Sequence, residues 1–305
     1  MTQPTDPPRP TAVEPAAGPA TAGPRLLRDP LTGRQVLIAA HRRHRPQGGS
    51  DDCPFCPGGQ EAPEPYLVRS FPNRWPALPG RSEVVLYSPD HDRGLGDLSP
   101  VEVRRVVDLW AERTEALGRR EDVGYVLVFE NRGAEVGATV AHPHGQVFGL
   151  PVVPDLAAAE LGAAGCVLCE QPVDPDLAVV RTPHWVGHVP EAAGWPYELR
   201  IAPVRHLPDL PSLGPADRDE LAALLSDCVR RLDRVAGGSM PSMMWIHQRP
   251  PHGLWPTAHL HVHLVGLWHS PGRPRLVAAG EHGSGILVNP LDPRTAAAHL
   301  RGAGS

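Results

Sequence analysis

Short apolar runs, separated by stretches rich in proline and glycine, divide most of the chain into predicted strands and a few helices. Runs that alternate or contain β-branched residues are typical of strands, and they occur at residues 35–38, 83–87, 125–130, 141–149, 199–201 and 243–247. Ser99-Pro100 is typical of a helix start, and apolar residues at 103, 106, 107, 109 and 110 predict a helix that ends near Leu117. A second long helix is predicted at about 215–235.

The landmarks of the first half recur in the same order in the second half. Each half has a Cys-x-x-Cys pair, then a lone histidine 35 (56 to 91) or 37 residues (169 to 206) later. A His-x-His pair follows after 51 (91 to 142) or 55 residues (206 to 261). We therefore predict an α+β fold of two tandem units, residues 25–154 and 155–305, each an antiparallel sheet with flanking helices. Residues 1–24, rich in Pro, Ala, Thr and Gly, are expected to be disordered.

Composition excludes several classes of protein. The 305-residue chain has a net charge of -5, from 29 Lys+Arg against 34 Asp+Glu, so it has no basic footprint for nucleic acid. No apolar run approaches the roughly 18 residues of a membrane span, and no secretory segment follows Met1, so we expect a cytoplasmic protein without a membrane partner. Four of the five cysteines form the two Cys-x-x-Cys pairs, which in this compartment favour metal ligands over disulfides.

The segment His142-Pro143-His144-Gly145-Gln146 carries the most specific chemical signal. On an extended backbone alternate side chains share a face, so two imidazoles and a carboxamide point the same way. Such a set suits chemistry at phosphorus, because one imidazole can attack, another can bind metal, and the amide can hold phosphoryl oxygens.

This segment, with Glu130-Asn131-Arg132-Gly133 before it, resembles the active-site motif of galactose-1-phosphate uridylyltransferases, a branch of the histidine-triad superfamily. The resemblance covers about residues 25–302 and is strongest at 130–148 and 30–46. It implies that the two predicted units are histidine-triad-like. It also implies that His144 is the nucleophile and that Gln146, in place of the third histidine of the triad, orients the phosphoryl group.

A first metal site is predicted from the residues Cys53, Cys56, His91 and His142. Two thiolates and two imidazoles suit tetrahedral zinc, and a full set of four protein ligands indicates a structural site. The resemblance implies the same four ligands. Such a zinc would anchor the strand that carries His144, two residues beyond His142.

A second metal site is predicted by the repeat at Cys166, Cys169, His206 and His261. The resemblance leaves an alternative open, because some family members hold iron or zinc there with a glutamate and three histidines, which here are Glu160, His247, His261 and His263. The second Cys-x-x-Cys pair favours the first set. The run His259-Leu260-His261-Val262-His263 could also form a second catalytic centre, although we expect it to supply one or two metal ligands.

The resemblance also implies a set of substrate-binding residues. Two arginines would contact nucleotide phosphates across a homodimer, and the others would contact the nucleoside, the phosphates or the hexose. These residues are Arg42, Arg45, Asn73, Asn131, Thr139, Arg275 and Glu281. Well-known members have lysine where Arg275 stands and an aromatic residue where Gly280 stands, which leaves the sugar and the base open.

The resulting hypothesis is a UDP-glucose:hexose-1-phosphate uridylyltransferase that works by ping-pong through uridylyl-His144, with hexose 1-phosphates and UDP-glucose or UDP-galactose as substrates. An ADP-sugar phosphorylase of the same superfamily is the alternative. A metal-bound binding module without catalysis is a third hypothesis, which the intact motif at His142, His144, Gln146 and Asn131 disfavours.

Overall fold

The computed structural model describes residues 23–44 and 53–304, so the predicted tail lies almost wholly outside the described residues. The strands are β1 (Arg25–Arg28), β2 (Gln35–Ile38), β3 (Arg69–Pro72), β4 (Ser82–Leu86), β5 (Tyr125–Arg132), β6 (His144–Leu150), β7 (Ala178–Arg181), β8 (Trp185–His188), β9 (Tyr197–Pro203), β10 (Ser242–His247), β11 (His261–Gly266), β12 (Trp268–Ser270) and β13 (Arg273–Pro274). The α-helices are α1 (Pro100–Gly118), α2 (Asp155–Leu161), α3 (Val167–Glu170), α4 (Pro215–Ala236), α5 (Ala279–Ser284) and α6 (Pro293–Gly302).

Nine of these strands form one antiparallel sheet in the order β3-β4-β6-β5-β10-β11-β9-β8-β7. The sheet joins the two halves of the chain edge to edge, because β5 of the first half pairs with β10 of the second half. From this seam outward, β5-β6-β4 is matched by β10-β11-β9 on the other side. The predicted α+β class is confirmed, and each strand predicted from the apolar runs is present.

Helix α1 forms where the sequence predicts it. Ser99 caps the helix and forms a capping box with Glu102, and Pro100 occupies the first turn. Its apolar side, including Val106 and Trp110, is fully buried in the main core together with α4 and one face of the sheet. Within the described residues, no helix combines the length and apolar character needed to cross a membrane.

Strand β6 has one face in the main core and one face outside it. Val147 belongs to the core that α1 and α4 cover, so alternation places His144 and Gln146 on the opposite face. On that face a smaller apolar cluster contains Phe55 and Val84. The histidine and the glutamine therefore lie beside an apolar patch rather than beneath the helices.

A buried polar pair supports β6 from the core side. Glu130 on β5 lies directly opposite Gly145, and the Tyr87 hydroxyl donates to its carboxyl group at 3.3 Å. A Cβ atom at position 145 would collide with the Tyr87 phenol oxygen, so only glycine fits between His144 and Gln146. Burial raises the pKa of Glu130 to about 7, although Arg132 and Tyr87 oppose this shift. The carboxyl group is therefore mostly neutral below about pH 7.

We expect Glu130→Gln to change how stability depends on pH. The folded pKa of Glu130, about 7, lies above its unfolded value of 4.5, so folding takes up a proton between these values and stability falls as pH rises through this window. Glutamine stays neutral and can accept from Tyr87, so the variant should gain up to about 3 kcal/mol over wild type at pH 8 and little at pH 4.5. Denaturant unfolding of both proteins from pH 5 to 8 measures the difference, and a difference that does not vary with pH would contradict the expectation.

Candidate active site and metal centres

His144 begins β6 with its imidazole held in one orientation. Its Nδ1 lies 2.8 Å from the backbone carbonyl oxygen of His142. A carbonyl can only accept, so Nδ1 carries the proton and the lone pair of the neutral ring is on Nε2. The ring meets the edge of the Phe55 ring at a centroid distance of 5.1 Å. This is the tautomer in which Nε2 can act as a nucleophile.

Gln146 lies on the same face, two residues beyond His144. It pairs across the sheet with Val84 of β4, and its side-chain oxygen accepts from the amide of Asn73 at 3.3 Å. Asn73, a predicted substrate-binding residue in the loop after β3, thus contacts β6 at Gln146. The structure brings Asn73, His144 and Gln146 into one site, which spacing along the chain does not indicate.

The four residues of the first predicted metal site converge. The Cys56 sulfur lies 3.5 Å from Nδ1 of His91 and 3.6 Å from Nδ1 of His142, and the Cys53 sulfur lies 3.8 Å from Nδ1 of His142. All four ligand atoms fall within 4.8 Å of one another. This group of two thiols and two imidazoles could hold a metal ion.

His142 links this cluster to His144. It is fully buried, and its Nε2 donates to the Ser88 carbonyl at 2.9 Å, so Nδ1 faces the thiols. Burial lowers the pKa of His142, which keeps the ring neutral and its Nδ1 lone pair available to a cation. The backbone carbonyl of the same residue fixes the tautomer of His144.

The second cysteine pair gathers two histidines, but one differs from the prediction. Nδ1 of His259 lies 3.3 Å from the Cys166 sulfur and 3.4 Å from the Cys169 sulfur, and Nδ1 of His206 lies 3.3 Å from Cys169. His259 therefore takes the place expected for His261, which corrects the predicted ligand set.

The reason for this correction is the position at which the strand begins. His259 lies two residues before the first residue of β11, as His142 lies two residues before the first residue of β6. Its Nε2 donates to the Pro203 carbonyl at 2.9 Å, as Nε2 of His142 does to Ser88. The spacing from 206 to 259 is 53 residues, closer to 51 than the 55 counted to His261. This closer match in spacing could have identified His259 as the ligand from the sequence.

His261 belongs to a third cluster, formed by Glu160, His247, His261 and His263, whose ligand atoms also lie within 4.8 Å of one another. The two ligand sets that the sequence left as alternatives are thus separate groups in one chain. His261 has the same bond as His144, from Nδ1 to the carbonyl two residues earlier, at 2.8 Å. A carboxylate oxygen of Glu160 lies 3.5 Å from its Nε2, so an acid occupies the side from which a phosphate would approach.

The electrostatics of this region favour a bound cation over a second nucleophile. Burial lowers the pKa of His259 and of His263 to about 4, so both rings are neutral near pH 7. Burial of Glu160 opposes its ionisation, but hydrogen bonds from His247 and His261 outweigh it and lower the pKa of the acid. A neutral imidazole at His263 and an ionised carboxylate at Glu160 are forms that bind metal.

The other predicted substrate residues are placed unevenly. Asn131 follows Glu130, the residue of β5 that pairs with Gly145, and Thr139 is half-buried after a turn with left-handed glycines at 133 and 137. Arg42 is half-buried in a short 3-10 helix, where its Nε has no partner among the described residues. Arg45 lies outside the described residues.

Arg275 and Glu281 form a buried ion pair in the C-terminal segment. The Arg275 guanidinium stacks over the Trp195 ring at 4.5 Å, and the Glu281 carboxylate accepts backbone N–H groups of Ala278 and Val288 at 2.9 and 2.8 Å. Within the chain these two residues therefore order the segment between 275 and 288. Nε and one terminal nitrogen of Arg275 are buried with no partner in the part of the chain that the structure describes.

Comparison with known proteins shows which family the chain is similar to. The galactose-1-phosphate uridyl transferase family model for the N-terminal domain matches residues 72–154, and the model for the C-terminal domain matches residues 171–267. The galactose-1-phosphate uridylyltransferase of Thermotoga maritima is 31% identical over 311 residues, covering 90% of this chain and 97% of the relative.

Two solved structures resemble the whole chain. A uridylyltransferase superposes with a TM-score of 0.83 at 30% identity, covering 91% of this chain and 98% of that chain. An ADP-glucose phosphorylase from Arabidopsis thaliana, solved with bound ADP-glucose, has a TM-score of 0.73 at 26% identity, covering 92% and 99%. On this likeness in sequence and structure, the chain belongs to the galactose-1-phosphate uridyl transferase family.

Proposed function

We propose that this protein is a UDP-glucose:hexose-1-phosphate uridylyltransferase. The observation that carries the proposal is the pair His144 and Gln146 on one face of β6, with Nδ1 of His144 bound to the His142 carbonyl. This bond selects the tautomer whose lone pair is on Nε2, and the neighbouring carboxamide supplies a donor for phosphoryl oxygens.

The reaction follows from these two groups. Nε2 of His144 attacks the α-phosphorus of a UDP-sugar, and an N–P bond forms as the P–O bond to the departing sugar 1-phosphate breaks. A second hexose 1-phosphate then attacks the uridylyl-His144 phosphoramidate and takes the uridylyl group, which gives ping-pong kinetics. The departing sugar 1-phosphate has a second pKa of about 6, so it needs no proton at pH 7. Residue 146 therefore does not have to donate a proton, and a glutamine can serve there. Enzymes that expel a more basic leaving group gain from an acid at such a position.

The remaining family positions take roles around this centre. Asn131 and Thr139 would bind phosphates beside His144, with backbone N–H groups near Gly133 and Gly137. Arg42 and Arg45 would reach the nucleotide phosphates of the partner subunit, and Arg275 with Glu281 would contact the hexose. The proposed homodimer is supported by exposed apolar side chains on the β1–β2 hairpin, which the described residues leave uncovered: Leu26, Leu27, Val36 and Ile38. We further propose that the enzyme acts in the cytoplasm.

An ADP-sugar phosphorylase is the second candidate. Its chemistry would be the same at His144, with adenylyl passed to inorganic phosphate. The observation that favours it is the hexose segment, where glycine stands at 280 in place of an aromatic residue, together with the likeness to the Arabidopsis ADP-glucose phosphorylase. The greater likeness to a uridylyltransferase supports the first candidate.

We propose zinc in both Cys2His2 clusters, one in each unit, 25–154 and 155–305. Tetrahedral zinc places sulfur and nitrogen ligands about 3.5 Å apart, close to the 3.3–3.8 Å between the cysteine sulfurs and histidine nitrogens here. Burial, and then the neighbouring Cys53, raise the pKa of Cys56, so two adjacent thiolates need a cation to be stable. With all four ligands from protein, each zinc would be structural. The two zinc ions would fix His142, just before β6, and His259, just before β11.

One labelling experiment tests both the nucleophile and the preferred nucleobase of the substrate. Wild-type protein mixed with UDP-glucose labelled in the α-phosphate should carry acid-labile label on His144, and His144→Gly should carry none. Labelled ADP-glucose should give much less label at matched times. Mass spectrometry of the quenched protein locates the adduct.

Three outcomes of this labelling separate the hypotheses. Preferential labelling by ADP-glucose would favour the phosphorylase, and label on another residue would contradict the assignment of His144. A wild type that transfers neither nucleotide would indicate the metal-bound module without catalysis.

Replacing one cysteine in each Cys2His2 cluster tests the two proposed zinc sites. Cys53→Ser and Cys166→Ser should each lower the zinc content by one ion per chain, because each removes one of four ligands. Cys53→Ser should also abolish uridylyl transfer, since His142 joins that cluster to His144. Cys228→Ser is the control, because Cys228 is buried in α4 away from all three clusters. Metal analysis and thermal unfolding measure the changes, and a fully metallated, fully active Cys53→Ser protein would contradict the first site.

A further inference from the structure

Asn73 occupies a position from which it can determine how Gln146 is oriented. Its backbone N–H donates to the Ser82 carbonyl at 2.8 Å, which fixes the residue just beyond β3. Phe71 pairs with Val84, and Val84 pairs with Gln146, so these three residues share a line across the sheet. Asn73, two residues beyond Phe71, reaches along this face to the Gln146 carboxamide.

The hydrogen bonds of Asn73 leave one orientation for both amides. The backbone N–H of Trp75 lies 2.8 Å from one end of the Asn73 side chain. A backbone N–H can only donate, so that end must be the oxygen, and the other end must be the NH2 group. This NH2 group faces Gln146 at 3.3 Å, so the glutamine must present its oxygen to Asn73 and keep its own NH2 group for another acceptor.

We propose that Asn73 is a positioning residue, which turns the NH2 group of Gln146 toward the phosphoryl oxygens during transfer to His144. The inference rests on the proposed function and deepens it. A reversed amide would direct carbonyl lone pairs at anionic oxygens and would remove a donor that strengthens as charge develops. Asn73 thus acts on the chemical step through Gln146.

A different role for Asn73 makes a different prediction. If Asn73 serves only to hold the nucleoside, its loss should weaken binding of the UDP-sugar and leave the rate of transfer from bound substrate intact. If it acts through Gln146, binding should change little and the chemical step should slow. The dissociation constant and the single-turnover rate of uridylyl transfer to His144 separate these two roles.

The central test is Asn73→Asp. One carboxylate oxygen can still accept from Trp75, so the loop keeps its anchor, but the other oxygen can only accept and should turn Gln146 around. We expect the single-turnover rate to fall about 100-fold, the loss typical of removing one oxyanion donor, with the dissociation constant of UDP-glucose within about threefold. Asn73→Ala removes the donor without adding charge, and its rate should fall about tenfold because the amide can then adopt either orientation.

A double-variant cycle shows whether the effect passes through Gln146. In a Gln146→Ala background there is no amide to orient, so adding Asn73→Ala should slow transfer by less than about twofold more. Fully additive losses in the cycle, or a weakened dissociation constant with an unchanged rate in Asn73→Asp, would overturn the proposal. Absence of uridylyl label on wild-type His144 would instead refute the proposed function, so the two failures are distinguishable. Thermal unfolding of each variant confirms that the compared proteins are folded.

Discussion

One residue, His142, connects the first cluster of cysteines and histidines to His144. Its Nε2 is held by the Ser88 carbonyl, its Nδ1 faces two thiols, and its own carbonyl fixes Nδ1 of His144. The orientation of the His144 ring and the location of its lone pair therefore both depend on His142, which takes no part in the proposed bond exchange. A structural metal at this cluster would remove the freedom of the chain immediately before β6, so His144 would be ordered before substrate binds.

The second half repeats this device without an accessible nucleophile. His259 and His261 reproduce the bonds of His142 and His144 at matching distances. His263 pairs with Trp245 as Gln146 pairs with Phe129, so an imidazole replaces the carboxamide at this position. In the second half three imidazoles gather around Glu160 and could hold a cation. The same strand geometry thus carries the proposed phosphate site in one half and a group of possible cation ligands in the other.

The sequence predicted the features that depend on local pattern, and it missed one register and several contacts between distant segments. The strand at 125–130 and the helix after Ser99 have clear periodicity and caps, so both were predictable. The run from His259 to His263 alternates uniformly and can align with His142-x-His144 in two registers, and alternation alone could not choose between them. The stacking of Arg275 on Trp195 and the bond from Asn73 to Gln146 join residues that lie 80 (195 to 275) and 73 (73 to 146) positions apart, so no local spacing predicts them.

His144 and Gln146 each have two hydrogen-bonding states, and the fold selects one state of each in the same way. An imidazole can exchange its proton between two nitrogens, and a carboxamide can rotate to exchange its donor and acceptor ends, so each group has a competent and an incompetent state. A hydrogen bond to another side chain that can also exchange its donor and acceptor would not select one of these states. A backbone group with a fixed role orients each side chain instead. His144 donates to the carbonyl of His142, which can only accept. Gln146 accepts from Asn73, and Asn73 accepts from the N–H of Trp75, which can only donate. Because the backbone cannot reverse these roles, the fold alone sets both the lone pair of His144 and the amide donor of Gln146, as the proposed phosphoryl transfer requires.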